Sequence, residues 1–251
     1  LAILADPAVP SLRPGPTTQG STDAVPCADL DPTTGGPTVL LEAAPERIMV
    51  CEQATIQLRL RLRCADPPHL VALVVDRSGS MVGASLEEAK AALLLLVDRL
   101  LVPGRPSTRA ALVSHGSPPT VDRDFGSDPA SLREGVGSLE VPSAEVPDDL
   151  PGAIDLARRL LLETADRPGA LRSIVLLSDG GQSHAAPQVQ QAADRAQGAG
   201  LLVATLCIQN RLASCPLMDG LASRADLAHS AEDRLEMLDG AARIAASLGD
   251  L

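Results

Sequence analysis

The sequence predicts an α/β fold in which a doubly wound, mostly parallel sheet carries helices on both faces. First, strand-like and helix-like segments alternate from residue 69 onward. Second, the strand segments 69–75, 173–178 and 201–207 are continuous apolar runs, which is typical of strands covered on both faces. Third, 251 residues suit one large domain, or a medium domain with an appendage.

Each predicted element has its own signal. A helix over 85–101 has helical apolar spacing, opens with the capping box Ser85-Leu86-Glu87-Glu88 and stops at Pro103-Gly104. A strand at 109–114 and a short edge strand at 120–125 come next. The remaining predicted elements are helices near 128–139 and at 150–163, the strand at 173–178, a helix at 187–197, the strand at 201–207, a small strand near 227–230 and a final helix at 232–248.

Before the alternating strands and helices, the sequence predicts two further segments. Residues 1–37 are rich in Pro, Gly, Ser and Thr, so we expect an extended tail that cannot build a core of its own. Residues 38–66 predict a small antiparallel β extension, because 55–63 alternates strictly between apolar side chains and Gln or Arg. The α/β domain then covers 67–251.

Composition excludes several classes of protein. With 45% hydrophobic and 21% charged residues, the chain is a packed globule rather than a disordered one. It contains one Phe and no Tyr or Trp, and its formal net charge is −11. The core must be aliphatic, stacking surfaces for nucleic acid are missing, and phosphate would be repelled. No apolar run approaches the roughly 20 residues of a membrane-spanning helix, so we expect neither a nucleic-acid partner nor a membrane span.

The five cysteines favour local pairing. Cys51 and Cys64 bracket a strand-like stretch, Cys207 and Cys215 bracket a short loop, and Cys27 stands alone. Their spacing fits no zinc pattern. Two local disulfides and an odd thiol would suit a secreted protein, whereas buried reduced thiols would suit an intracellular one. The chain starts at Leu1 rather than Met, as a processed protein or a fragment would.

Candidate metal ligands follow two of the buried strands. Asp76, Ser78 and Ser80 come after the strand at 69–75, and Asp179 follows the strand at 173–178. Ligands of open parallel sheets bind beyond the carboxyl ends of the strands, so these oxygens are expected to converge if the chain turns sharply at Gly79. Carboxylate and hydroxyl oxygens suit Mg²⁺, Mn²⁺ or Ca²⁺, and an incomplete shell leaves a position for an outside oxygen.

The stretch 73–81, Leu-Val-Val-Asp-Arg-Ser-Gly-Ser-Met, resembles the Asp-x-Ser-x-Ser signature of von Willebrand factor A (VWA) domains, the metal-ion-dependent adhesion site. The resemblance, to bacterial surface or secreted members of the family, covers about residues 69–248. It implies a Rossmann-like doubly wound fold and a divalent ion, Mg²⁺ first, held by Ser78 and Ser80. It also implies that Asp76 and Asp179 lie nearby or act through water, and that a partner's carboxylate completes the shell.

One residue departs from the family pattern. The family usually places a Thr just before the helix that corresponds to 150–163, and Asp148 takes that place here. A third carboxylate would weaken the ion's attraction for an external carboxylate and shift its preference toward Ca²⁺. Asp148 is therefore a fifth candidate metal residue, and the substitution favours metal binding over adhesive use of the metal. The alternative is that Asp148 faces solvent in a Pro-bounded loop.

The leading hypothesis for function is a non-enzymatic module, extracellular or on the cell surface, that binds another protein through the metal-bearing face. A second hypothesis is a structural subunit of an extracellular polymer or filament, assembled through the tail and the β extension. A third is a cytoplasmic scaffold that presents a client to an ATPase. A hydrolase built from Ser78 with His115 and His184 is disfavoured, because the Gly-x-Ser-x-Gly elbow is missing.

Overall fold

The computed structural model describes residues 68–102, 108–116, 118–141, 149–164, 169–180, 186–209 and 215–249. The predicted tail and β extension lie outside these residues, and so do Asp148 and His184. Within the described ranges, the elements are β1 His69–Asp76, α1 Ala84–Leu100, β2 Thr108–His115, β3 Thr120–Gly126, α2 Pro129–Gly137, α3 Leu150–Glu163, β4 Leu171–Ser178, α4 Ala186–Gly198, β5 Leu202–Ile208, α5 Cys215–Leu221, β6 Ala228–Ala231 and α6 Arg234–Gly249.

The six strands form one sheet in the order β3-β2-β1-β4-β5-β6. All neighbouring pairs are parallel except β2 and β3, so the predicted edge strand runs antiparallel to the rest. The chain winds outward from β1 in one direction through β2 and β3, and in the other through β4. The switch point where ligands of such sheets bind is therefore the carboxyl ends of β1 and β4.

Helices cover both faces of the sheet, which confirms the predicted fold class. The core on one face contains side chains of α1, α2 and α6, and the core on the other contains side chains of α3, α4 and α5. Successive residues of β1 alternate between the two cores: Val71 and Leu73 belong to the first, Ala72 and Val74 to the second. A strand buried on both sides needs an unbroken apolar sequence, which is why β1 was predictable.

Two local features differ from the sequence prediction. The capping box at Ser85 is wrong: α1 begins at Ala84, its N-cap is Gly83 with φ 85°, and no side chain caps it. Ser85 therefore lies inside the first turn. The short helix α5, Cys215–Leu221, was not predicted, because seven residues are too few to display a helical period.

None of the described helices is long and apolar enough to cross a membrane.

Gly240 allows α6 to pack closely against the sheet. A Cβ at this position would lie 2.7 Å from Leu206 Cδ1 and 3.2 Å from His229 Cβ. Overpacking costs about 1–3 kcal/mol and outweighs the helix-propensity gain of about 1 kcal/mol. We expect Gly240→Ala to lower the free energy of unfolding by about 1 kcal/mol in urea denaturation. In the control Gly137→Ala, the new methyl group has open space around it; an equal loss there would contradict the packing explanation.

Candidate functional site

Asp76 lies at the switch point, and contacts from three sides hold its side chain in one orientation. It ends β1, and its side chain is completely buried. The backbone N–H of Ser78 donates to Asp76 Oδ1 at 2.7 Å, and the hydroxyl of Ser178 donates to Oδ2 at 2.6 Å. Nε2 of His115 lies 3.1 Å from Oδ1. These three contacts come from the following turn, from β4 and from β2, so the sheet itself sets the orientation of the carboxylate.

The same contacts determine the charge of Asp76. Burial alone raises the pKa of a carboxyl group, but here the adjacent His115 ring and the hydrogen bonds from Ser178 and Ser78 act in the opposite direction. Their combined effect holds the pKa of Asp76 below its ordinary value of 3.8. Asp76 is therefore a carboxylate at neutral pH.

Ser78 and Ser80 present their hydroxyl groups side by side, with Oγ atoms 2.9 Å apart. A single 3₁₀ turn, Gly79–Met81, brings them together, and the buried Met81 anchors it in the core. The turn closes when the N–H of Met81 donates to the carbonyl of Ser78 at 3.0 Å. Gly79 is not among the described glycines with positive φ, so the sharp turn predicted there does not depend on glycine's left-handed conformation.

Asp179 follows β4 and is fully buried. Its two chain neighbours belong to the Asp76 network: the hydroxyl of Ser178 donates to Asp76, and the N–H of Gly180 donates back to Ser178 Oγ at 3.0 Å. For its N–H to reach Ser178 Oγ, Gly180 adopts φ 64°, a left-handed conformation that favours glycine. The Ser178 hydroxyl thus connects the carboxylate of Asp76 to the backbone on either side of Asp179.

Sequence reasoning did not select Ser178 as a site residue. A signal was available, because Ser178 is the last residue of β4 and Asp76 is the last residue of β1. The carboxyl ends of neighbouring parallel strands lie side by side, so the two side chains can meet there. The sequence analysis named His115 only as a possible partner of Ser78 in the disfavoured hydrolase, whereas its side chain is fully buried against Asp76. The hydroxyl of Ser78, the nucleophile of the disfavoured hydrolase, is hydrogen-bonded with Ser80.

The oxygen atoms at the switch point decide which cation the site can hold. Among the described residues, no group of three or more His, Cys, Asp or Glu side chains could hold a metal ion, so any ion here needs the serine hydroxyls. An octahedral shell with metal–oxygen bonds of about 2.0–2.1 Å has oxygen–oxygen edges of about 2.9 Å. The two Oγ atoms are hydrogen-bonded at 2.9 Å, an ordinary distance for two hydroxyl groups that is also compatible with that edge. The residues present fit a small, hard cation such as Mg²⁺.

The residue before α3 has a structural task. The side chain of Asp149 accepts a hydrogen bond from the N–H of Gly152 at 2.9 Å and caps the helix. Asp148, the candidate in the position of the family's threonine, lies outside the described residues. Its contribution to a metal site stays a prediction.

A disulfide joins Cys207, near the end of β5, to Cys215, the first residue of α5. The local pairing expected for these two cysteines is confirmed. Cys27, Cys51 and Cys64 lie outside the described residues, so the second predicted pairing stays a prediction.

Comparison with known proteins agrees with the architecture. The sequence model of the von Willebrand factor type A domain matches residues 71–234, which is more than half of the chain. The protein therefore belongs to the VWA family, as the Asp-x-Ser-x-Ser motif indicated. No curated protein sequence matches the chain.

Solved structures with the same fold come from several sources. The pilus adhesin SpaC from Lactobacillus rhamnosus GG, in its open conformation, matches with a TM-score of 0.61 and 14% identity over 73% of this chain and 30% of its own. The vWF domain of the type V pili tip protein Mfa5 from Porphyromonas gingivalis matches with a TM-score of 0.61 and 16% identity, over 72% of this chain and 95% of its own.

Proximal thread matrix protein 1 from the mussel byssus matches with a TM-score of 0.61 and 14% identity, over 72% of this chain and 48% of its own. This chain thus covers less than a third of SpaC and about half of the mussel protein. At these identities the likeness concerns the fold.

Proposed function

We propose that this protein is a non-enzymatic adhesion module that uses a divalent cation at the switch point to bind a carboxylate of a partner protein. The observation that carries the proposal is the pair of serine hydroxyls 2.9 Å apart, held beside a buried and ionised Asp76. The named functions of two matching structures, a pilus adhesin and a pili tip protein, favour the same role.

Each residue would have a separate task. Ser78 and Ser80 would hold the ion directly, with Asp76 and Asp179, and Asp148 from the adjoining segment, close by or acting through water. When bound, the ion would supply a positive charge and an open coordination position for the partner's oxygen. Neutral hydroxyl ligands leave more of the ion's charge available than carboxylates do, whereas a carboxylate from Asp148 would leave less.

The test is metal binding by a variant that lacks both hydroxyls. Free Mg²⁺ at 100 times its dissociation constant stabilises a native protein by about 2.7 kcal/mol, which corresponds to a rise in melting temperature of about 5–10 °C for a domain of this size. We expect that rise in the wild-type protein and none in Ser78→Ala/Ser80→Ala, measured by differential scanning calorimetry with Mg²⁺, Mn²⁺ or Ca²⁺ against a chelator.

Ser131→Ala is the matched control, because it removes an exposed hydroxyl in α2 and should keep the metal-induced rise. The proposal is wrong if the double variant responds to Mg²⁺ as the wild type does, or if the wild type responds to none of the three ions.

We place the protein outside the cell or on its surface. The Cys207–Cys215 disulfide is typical of oxidising compartments, whereas reduced cysteines would have favoured the cytoplasmic scaffold hypothesis. SpaC and Mfa5 are named as pilus proteins, which supports the same location.

A second candidate function is a structural subunit of an extracellular filament, assembled through the tail 1–37 and the β extension 38–66. The match to a thread matrix protein of the mussel byssus favours it. Deleting 1–66 should then abolish assembly measured by light scattering, while chelation of metal leaves assembly intact. Assembly that persists after the deletion would exclude this mode.

A further inference from the structure

We propose that the Cys207–Cys215 disulfide positions Asp179 and thereby sets the affinity of the switch-point site for its cation. The inference rests on the proposed metal-binding function and assigns a role at that site to two cysteines that carry no ligand atom for it.

The disulfide lies beside the loop that carries Asp179. β4 and β5 are parallel neighbours, and Ser178 is paired in register with Cys207. Cys207 Sγ lies 3.9 Å from the carbonyl oxygen of Asp179. A disulfide sulfur has no proton to donate, so this is a packing contact. Cys207 is fully buried and Cys215 is 8% exposed, so the bridge is buried, with its Cys207 sulfur beside the backbone of Asp179.

Asp179 is thereby supported from two directions. On the side of β1, the Ser178 hydroxyl links the chain to Asp76, and the N–H of Gly180 returns to that hydroxyl. On the side of β5, the support is Cys207. The support on the side of β1 consists of hydrogen bonds. The support on the side of β5 is a packing contact, so it depends on how firmly the end of β5 is held.

The bridge holds the end of β5 by tying it to α5. Cys215 begins this helix, and its buried side chains Met218 and Leu221 belong to the core on that face of the sheet. A helix of seven residues has little stability of its own, so its attachment depends on this packing and on the covalent link. Pairing with β4 and β6 also holds the end of β5, and the N–H of Gln209 donates to the carbonyl of Ala231 at 2.7 Å. Loss of the link is therefore expected to loosen the contact between Cys207 and Asp179 without opening the sheet.

The experiment removes the covalent link and puts apolar side chains in place of the two cysteines. In the variant Cys207→Val/Cys215→Ala, we expect Mg²⁺ to bind about 10-fold more weakly by titration calorimetry, as is typical when the support of metal ligands is lost. We also expect faster hydrogen exchange at the Gly180 amide in metal-free protein, which reports the loop independently of any ion. Both measurements are made well below the melting temperature.

The control is Ile244→Ala, a fully buried residue of α6 that belongs to the core on the other face. It should lower stability without changing Mg²⁺ affinity or Gly180 exchange. If the cysteine variant does not fold, the same measurements apply to wild-type protein whose bridge has been reduced by a soluble dithiol. The dithiol becomes a cyclic disulfide, and each cysteine sulfur gains one proton.

Unchanged Mg²⁺ affinity together with unchanged Gly180 exchange would overturn the positioning role while metal binding stands. Failure of the wild type to bind any divalent ion would overturn the proposed function instead. In that case the exchange measurement still decides: faster Gly180 exchange supports positioning of the loop by the disulfide, and unchanged exchange excludes it.

Discussion

Replacing Asp76 with alanine is expected to lower the free energy of unfolding by about 3–5 kcal/mol and to abolish divalent-cation binding. The side chain is completely buried, and it accepts from Ser78 and Ser178 and lies against His115. Alanine would leave these groups facing a cavity, and buried polar groups without partners are costly.

Urea denaturation in a chelator at pH 7 measures the loss of stability without a contribution from metal. Asp98→Ala is the matched control, since it removes the same charge from a side chain that is 49% exposed and paired with Arg133. Exposed ion pairs contribute about 0–1 kcal/mol. An Asp76 variant as stable as the Asp98 variant would contradict the central role of the buried network.

Stability should fall as the pH drops from about 6.5 to about 4, and His69 should cause part of the fall. Burial lowers the pKa of His69 from 6.5 to about 4, and its Nε2 is hydrogen-bonded with Ser173 Oγ at 2.8 Å. Between these pH values, the unfolded chain takes up a proton at this imidazole and the native protein does not. The contribution is complete above pH 6.5, is lost progressively below it, and amounts to about 3 kcal/mol.

The measurement is the free energy of unfolding at several pH values for the wild type and for His69→Gln, whose amide can bond Ser173 but does not titrate in this range. We expect the variant to lose markedly less stability than the wild type between pH 6.5 and pH 4. Parallel curves for the two proteins would show that His69 is protonated in the native state as readily as in the unfolded state.

The sequence predicted the architecture well because its main signals are local. A strand buried on both faces must be apolar throughout, and this identified β1, β4 and β5. An amphipathic helix repeats its apolar residues every three or four positions, and α3 was predicted at the bounds it has, Leu150–Glu163. The start of α1 was missed because Gly83, not a serine side chain, sets it.

The site was only partly predictable. Asp76, Ser78 and Ser80 lie in one short motif, so their proximity follows from a single turn. The contacts that orient Asp76 come from Ser178, 102 residues away in the sequence, and from His115 on another strand. Which residue stands beside which depends on strand order and register, and these have no signature in a local pattern.

By itself, the sequence determined the class of fold, the family and the oxygen-rich motif at the end of β1, since apolar periodicity and residue type are properties of short segments. The tertiary structure alone decided which groups hold Asp76 and that a disulfide borders Asp179. These depend on distant strands brought into register when the two apolar faces of the sheet are buried, a condition that the whole chain must satisfy at once.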